Sequence, residues 1–281
     1  MRVTVWGTRV SVASAGPETV RYGGNTSCLE VRNDAGALVV LDAGTGIRRL
    51  GATVGSETTR VDVLLTHLHM DHIQGLGFFE CLHWPELEVH LWGPASMTLG
   101  LHARLSRYLS PPLFPVRLRD LACDLTVHDV PRNGVEIPGF HVETALVCHP
   151  GPTVGYRLHG DGATLAYLPD HEPMLCASGF AAGPRSTSGF DLAADVDLLI
   201  HDAQYTADEY KSRIGWGHSA IHHAFAFAAA VGARQFMPFH HDPTHDDATL
   251  DMIYATSQST PMDFDGDTVP AREGLTIDLE T

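Results

Sequence analysis

The chain has 281 residues, 44% of them hydrophobic, enough to bury a large core. Its formal net charge of −16 disfavours a nucleic-acid polymer as partner, because basic residues gather only in "RLRD" (Arg117 to Asp120) and "IRRL" (Ile47 to Leu50), both readable as solvated faces. No run reaches the ~18 apolar residues of a membrane span, and "MRVTVWG" enters a strand without a leader's apolar region.

In chain order, apolar and β-branched runs predict strands over Arg2 to Trp6, Ser27 to Val31, Ala37 to Leu41 and Val61 to Leu65. Further strands fit Glu88 to Trp92, His141 to Val147, Gly155 to Leu158, Thr164 to Leu168, Leu198 to His201 and Gln235 to Pro238. Helices fit "IRRLGATV", "GPASMTLGLHARLSRYL" and "HSAIHHAFAFAAAVGA", with a further helical stretch in "HIQGLGFFECL". In the second of these, Met97, Leu101, Leu105 and Tyr108 or Leu109 recur at helical spacing and read as core. Ser178 to Asp197 has the composition of a surface loop, and nothing marks a linker, so a single domain over residues 1–281 is expected. Cys28, Cys81, Cys123, Cys148 and Cys176 are odd in number and form no CxxC, which fits a reducing, cytoplasmic setting. Cys148 reads as a core thiol.

The stretch "LLTHLHMDHIQGL" crowds His67, His69, Asp71 and His72 behind a buried strand. On a strand His72 would face away from the others; on a helix His69 would. A strand-to-helix loop can gather all four, and imidazole with carboxylate is a ligand set for zinc and its divalent neighbours.

"THLHMDH" resembles the His-x-His-x-Asp-His signature of the metallo-β-lactamase superfamily of binuclear metal hydrolases. Further parts follow in the family's order: His149 in "CHPGPTVGYRL", Asp170 in "LAYLPDHE", and His240 or His241 in "QFMPFHHDP", with Asp42 ending an early strand in "ALVVLDAGTGI". The resemblance implies an α/β, four-layer αββα sandwich. It also implies two divalent metal ions, zinc foremost, with manganese or iron as alternatives. His67, His69 and His149 should hold one ion; Asp71, His72 and His240 the other, His240 being favoured over His241 because it ends the strand. Asp170 should bridge them around a shared hydroxide, and Asp42 should support the site from behind.

"LLIHDAQYTADEY" and "GWGHSAIHH" resemble the corresponding segments of ribonuclease Z and its phosphodiesterase relatives, where an acidic residue supports a histidine facing the scissile phosphate. By position these are Asp202 and His218; with Asp71 they are the candidate catalytic residues. Ser219 capping the next helix is the plainer reading of Gly-His-Ser. That family's long basic arm has no counterpart here, which turns the expectation from tRNA to a small, even cyclic, phosphodiester. Alternatives are a same-fold hydrolase of a lactone, thioester or β-lactam, and a nucleotide-binding sensor without turnover. Arg21, Tyr22 and Asn25 are candidates for the cleft wall. Trp84, Trp92 and Trp216 are candidates for a homodimer face. His171 is a candidate neighbour of the cleft, and His245 reads as solvated.

Overall fold

The computed structural model describes residues 1–174, 180, 183–259 and 264–279. Its first sheet is built from β1 (Arg2–Gly7), β2 (Cys28–Arg32), β3 (Leu38–Leu41), β4 (Arg60–Leu64), β5 (Glu88–Gly93) and β6 (Asp124–Asp129). The second takes β7 (Val135–Ile137), β8 (Phe140–Leu146), β9 (Val154–Gly160), β10 (Ala163–Leu168), β11 (Leu198–Asp202), β12 (Gln235–Phe239) and β13 (Asp267–Thr268). Strand β14 (Thr276–Asp278) returns to β1, giving the orders β14-β1-β2-β3-β4-β5-β6 and β13-β12-β11-β10-β9-β8-β7.

The sheets pack face to face: Val3, Leu29 and Val31 of one meet Tyr156, Leu165 and Met237 of the other in one buried cluster. The outer face of the first sheet is covered by α1 (Ile47–Gly51), α2 (Met70–Ile73), α3 (Leu101–Leu105) and the turns between them. The outer face of the second carries α4 (Phe190–Ala193) and α6 (Ile221–Val231), with α5 (Ala207–Tyr210) before α6. Helix α7 (Asp247–Ser259) packs Leu250 and Tyr254 on Tyr22. This is the expected αββα sandwich, in which both faces of β2 and β3 are covered and their residues run almost continuously buried. No helix among the described residues is long and apolar enough to cross a membrane.

Several expectations need correction. The long helix from Gly93 to Leu109 is only α3, because Gly100 is extended and the Leu101 N–H is capped from across the sheet by Asp129 Oδ1 at 3.1 Å. Met97 is therefore fully exposed, while Leu101, Leu105 and Leu109 are buried as expected. "HIQGLGFFECL" breaks into short turns after α2. The Ser178 to Asp197 stretch is not all loop: α4 buries Phe190, Leu192 and Ala193; residues 178–179 and 181–182, and also Cys176, lie outside the described residues. Cys148 is half-buried rather than core. Trp92 is buried, its indole N–H on Asp62, so it offers no dimer face, whereas Trp216 is exposed.

Candidate metal centre

Strands β3, β4 and β5 run parallel, as do β10, β11 and β12, so the carboxyl ends within each set lie together. Crevices outside such ends are where open α/β sheets place ligands. After β4 the chain runs through Thr66 into the loop carrying His67 and His69, then turns into α2 with Asp71 and His72. The expected loop thus holds only two of the four side chains; the first turn of a short helix holds the others. His149 follows β8, Asp170 follows β10, Asp202 ends β11, and His240 follows β12.

The structure brings these residues together. Asp170 divides its oxygens: Oδ1 lies 3.8 Å from both His67 Nε2 and His149 Nε2, while Oδ2 lies 3.0 Å from His72 Nε2 and 3.6 Å from His240 Nε2. On the first side, His149 Nε2 is 3.2 Å from His69 Nδ1. On the second, Asp71 Oδ2 is 3.5 Å from His72 Nε2 and 3.6 Å from His240 Nε2. Nitrogens this close, with a carboxylate between them, converge on common points. The donor atoms of His67, His69 and His149 lie within 4.8 Å of one another, as do those of Asp71, His72 and His240.

The residues fit divalent cations on a second ground. Nε2 of His67, His72 and His240, and Oδ2 of Asp170, are buried without a hydrogen-bond partner. Buried polar atoms are costly unless satisfied, and four of them aimed at one place mark a ligand position. Electrostatics agree. Burial holds His67, His69 and His149 below the ordinary imidazole range, which keeps them neutral, the form that ligates. Burial also opposes charge on His72 and His240, yet Asp170, Asp42 and Asp71 raise His72, and Asp170, Asp202 and Asp71 push His240 up to about 10. That half of the site is a region of negative potential that draws positive charge.

Asp42 stands behind the site. It is fully buried with φ 59°, an uncommon backbone conformation for a non-glycine residue. Its carboxylate accepts from Thr66 N and Oγ1, from the Tyr167 hydroxyl at 2.9 Å, and from His72 Nδ1 at 2.7 Å. With Nδ1–H donated backwards, His72 presents a bare Nε2 forward. His149 is oriented likewise by Gly217 O, 2.9 Å from its Nδ1. A Cβ on Gly217 (φ 90°) would come within 2.4 Å of the His149 ring, so only glycine fits.

His218 Nδ1 sits 2.7 Å from Asp202 Oδ2 and 3.8 Å from Asp170 Oδ1. Asp202 Oδ1 accepts the N–H groups of Gln204 and Ser219, which ties the turn before α6 to the end of β11. Ser219 does not cap α6: its hydroxyl donates to His171 O, and Ala220 occupies the cap position. Between His240 and His241, only His240 faces the cluster; its φ of 68° turns it inward. His241 Nε2 lies against Ala271 O, and its Nδ1 against the Tyr254 hydroxyl.

Other candidates fall outside. Tyr22 and Arg21 bond to Asp251, and Asn25 to Glu273, so these residues hold the N-terminal loop rather than the cleft. His171 is buried with its ring nitrogens on His201 and Ser188. His245 is not solvated: it is buried, with Nε2 2.9 Å from Glu209 Oε1. Besides Tyr167, two contributors went unread. The Ser11 N–H donates to Asp71 Oδ2 at 2.6 Å. The buried Glu172 carboxylate accepts from the Tyr210 hydroxyl and from the N–H groups of Gly215 and Gly217. Its place two residues after Asp170 was the only signal.

A family model for the β-lactamase superfamily domain matches residues 38–241. The chain belongs to that superfamily. The ribonuclease Z of Myxococcus xanthus is 24% identical over 285 aligned residues, covering 86% of this chain and 88% of that protein. Among solved structures, the metallo-β-lactamase fold protein YhfI from Bacillus subtilis matches with TM-score 0.70 at 17% identity, covering 98% of each chain. The short form of human tRNase Z matches with TM-score 0.69 at 20% identity over the whole of both chains. The chain is thus a metallo-β-lactamase-fold hydrolase related to ribonuclease Z, with His and Asp clusters suited to divalent metals.

Proposed function

We propose that the chain is a phosphodiesterase of small, including cyclic, phosphodiesters, working with two divalent ions, zinc foremost. His67, His69 and His149 would hold one ion; Asp71, His72 and His240 the other; and Asp170 both. Bound there, divalent ions supply a water nucleophile at neutral pH and offset the charge of the phosphoryl oxygens.

The observation that carries the reading is the His218–Asp202 pair beside the metal residues. Asp202 is buried; burial raises its carboxyl, but His218 and His240 outweigh that and hold it ionised. With Nδ1 turned to Asp202 Oδ2, His218 keeps Nε2 as the nitrogen that would carry a proton to the substrate. As the P–O bond to the leaving group breaks, the departing oxygen takes that proton, and the water oxygen becomes part of the product phosphate. Asp202 positions the ring without touching substrate. Hydrolysis of a lactone or thioester has less need of this pair.

A second reading, cleavage of RNA, is favoured by the name of the Myxococcus relative. The net charge of −16 weighs against it, since a polyanion is repelled unless basic residues collect along its path.

The test is hydrolysis of bis-p-nitrophenyl phosphate by metal-loaded protein, wild type beside His218→Ala, with metal counted on both. The variant should keep its metal and lose about 10²–10⁴-fold in kcat, the usual worth of a positioned acid. Two metals with no phosphodiester turnover in wild type would end the reading and move the search to lactones and thioesters. Turnover of an RNA substrate above that of any small diester would replace it with the second.

A further inference from the structure

A cavity of about 730 Å³ opens beside His67 and His69. That volume is typical of a site for a small organic molecule, and a phosphodiester group alone would leave most of it empty. Its walls are largely apolar: Met70 and Ile73 from α2, Leu113 from the turn after α3, and Pro152 from the loop beyond His149. Tyr108 adds its ring, since its hydroxyl already donates to Gln74 O at 2.5 Å. Buried His67 marks the floor, and exposed Arg107 the mouth.

Two arginines line this cavity, and they differ. Arg104 is engaged, with its guanidinium on Pro94 O and 3.4 Å from Asp129 Oδ1. The guanidinium of Arg107 enters no hydrogen bond or ion pair among the described residues, in a chain with 34 acidic residues against 18 basic ones. A cation without a partner at the mouth of an apolar cavity, whose floor adjoins the metal residues, suits a ligand with three parts. One is a phosphodiester at the metal residues, the next a flat or apolar body along the walls, and the third an anionic group at the rim. Arginine's planar fork matches a phosphate or carboxylate in two parallel hydrogen bonds.

Resting on the phosphodiesterase reading, we propose that this cavity is a nucleoside-sized subsite and that Arg107 selects substrates bearing a second anionic group, foremost a terminal phosphate on a mononucleotide. Met70, Ile73, Leu113 and Tyr108 take the base and sugar; Arg107 takes the second phosphate.

The experiment compares two esters with the same leaving group on metal-loaded protein: thymidine 5′-(p-nitrophenyl phosphate) and its 3′-phosphorylated counterpart. In wild type the 3′-phosphate should raise kcat/KM about tenfold or more, the worth of one charge-assisted contact, mainly through KM. In Arg107→Gln the ratio between the two esters should fall to about one, and Arg107→Lys should restore part of it. Binding of thymidine 3′,5′-bisphosphate against thymidine 5′-monophosphate, by calorimetry, reads the same contrast without turnover. A wild-type ratio near one, or a ratio that survives in Arg107→Gln, overturns the assignment. So does a ten-nucleotide RNA that competes more strongly than the bisphosphate. Loss of bis-p-nitrophenyl phosphate turnover with the calorimetric contrast intact would instead fault the phosphodiesterase reading and leave the subsite standing.

Discussion

The first sheet delivers His67, His69, Asp71 and His72 on one short stretch, from the end of β4 into α2, while the second delivers His149, Asp170, Asp202 and His240 one at a time from separate strand ends. A single short connection positions its residues by local chain geometry. Separate strand ends need each side chain fixed individually, and the second sheet's loops carry the bonds that do so. Glu172 pins Gly215 and Gly217, Gly217 O orients His149, and Asp202 gathers His218, Gln204 and Ser219. On the first side most of that work falls to Asp42, which serves His72 and Thr66 together. The two halves meet at Asp170, whose oxygens face one imidazole pair each.

The sharpest way to break this comparison is at the shared carboxylate. Asp170→Ala should empty both metal positions, and with the metals should go their charge stabilisation of the reaction, worth several kcal/mol, or at least about 10³-fold in turnover. His69→Ala, at a more exposed residue whose ring packs on those of His149 and His67, should lower the metal count by about one and leave the other position filled. Metal per chain by mass spectrometry, with diester turnover beside it, decides the matter. Equal metal loss in both variants would mean that Asp170 is not the junction.

A smaller effect separates the supports. Asp42→Asn replaces the acceptor behind His72 with an amide, and Glu172→Gln does the same for the loop that orients His149. Loss of such an outer partner typically costs about 10–100-fold in metal affinity. Asp42→Asn should approach the upper end, because Asp42 bonds a candidate ligand directly. Glu172→Gln should lie near the lower end, because Glu172 acts through Gly217. Competition with a coloured chelator measures both, and it should show a different metal position weakened in each variant. A single common loss would mean that the two metal positions are not held independently.

The same contrast explains what could be read from the chain. His67, His69, Asp71 and His72 are close in sequence because they are close in space, so spacing alone marked them. His149, Asp170, Asp202, His218 and His240 were placed only through family resemblance, since a lone histidine after a strand carries no signal of its own. The choice of His240 over His241 followed from where β12 ends; the structure turns His240 toward the cluster and lays His241 against Ala271 O. Glu172, Ser11 and Tyr167 went unread because their roles are tertiary hydrogen bonds across long stretches of chain. In the fold, the core strands were legible from apolar runs. The helix over Gly93 to Leu109 failed because an Asp129 carboxylate on β6, not the local periodicity, decides where α3 starts.

The smallest expected effect concerns stability rather than turnover, and it also divides the halves. Outside the site, the fully or nearly buried histidines among the described residues, His171, His201, His223, His241 and His245, all lie in the second half. His223, on the face of α6 against the Tyr210 ring and beside His222, is pushed down to about 4, first by burial and then by His222. Unfolding releases it to the ordinary imidazole range near 6.5. The unfolded chain therefore binds the proton more readily, and protonation favours unfolding. The stability held by neutral His223 is fully present above about 6.5 and is lost as pH falls from there toward 4. His223→Leu keeps the site apolar and removes the titration. Its melting temperature should fall less than that of wild type between pH 7 and pH 5, a difference of a few degrees, with the two curves converging in slope above pH 7. Parallel curves across the whole range would show that His223 is protonated without loss in the folded chain, and that the acid sensitivity of the second half lies with its other buried histidines.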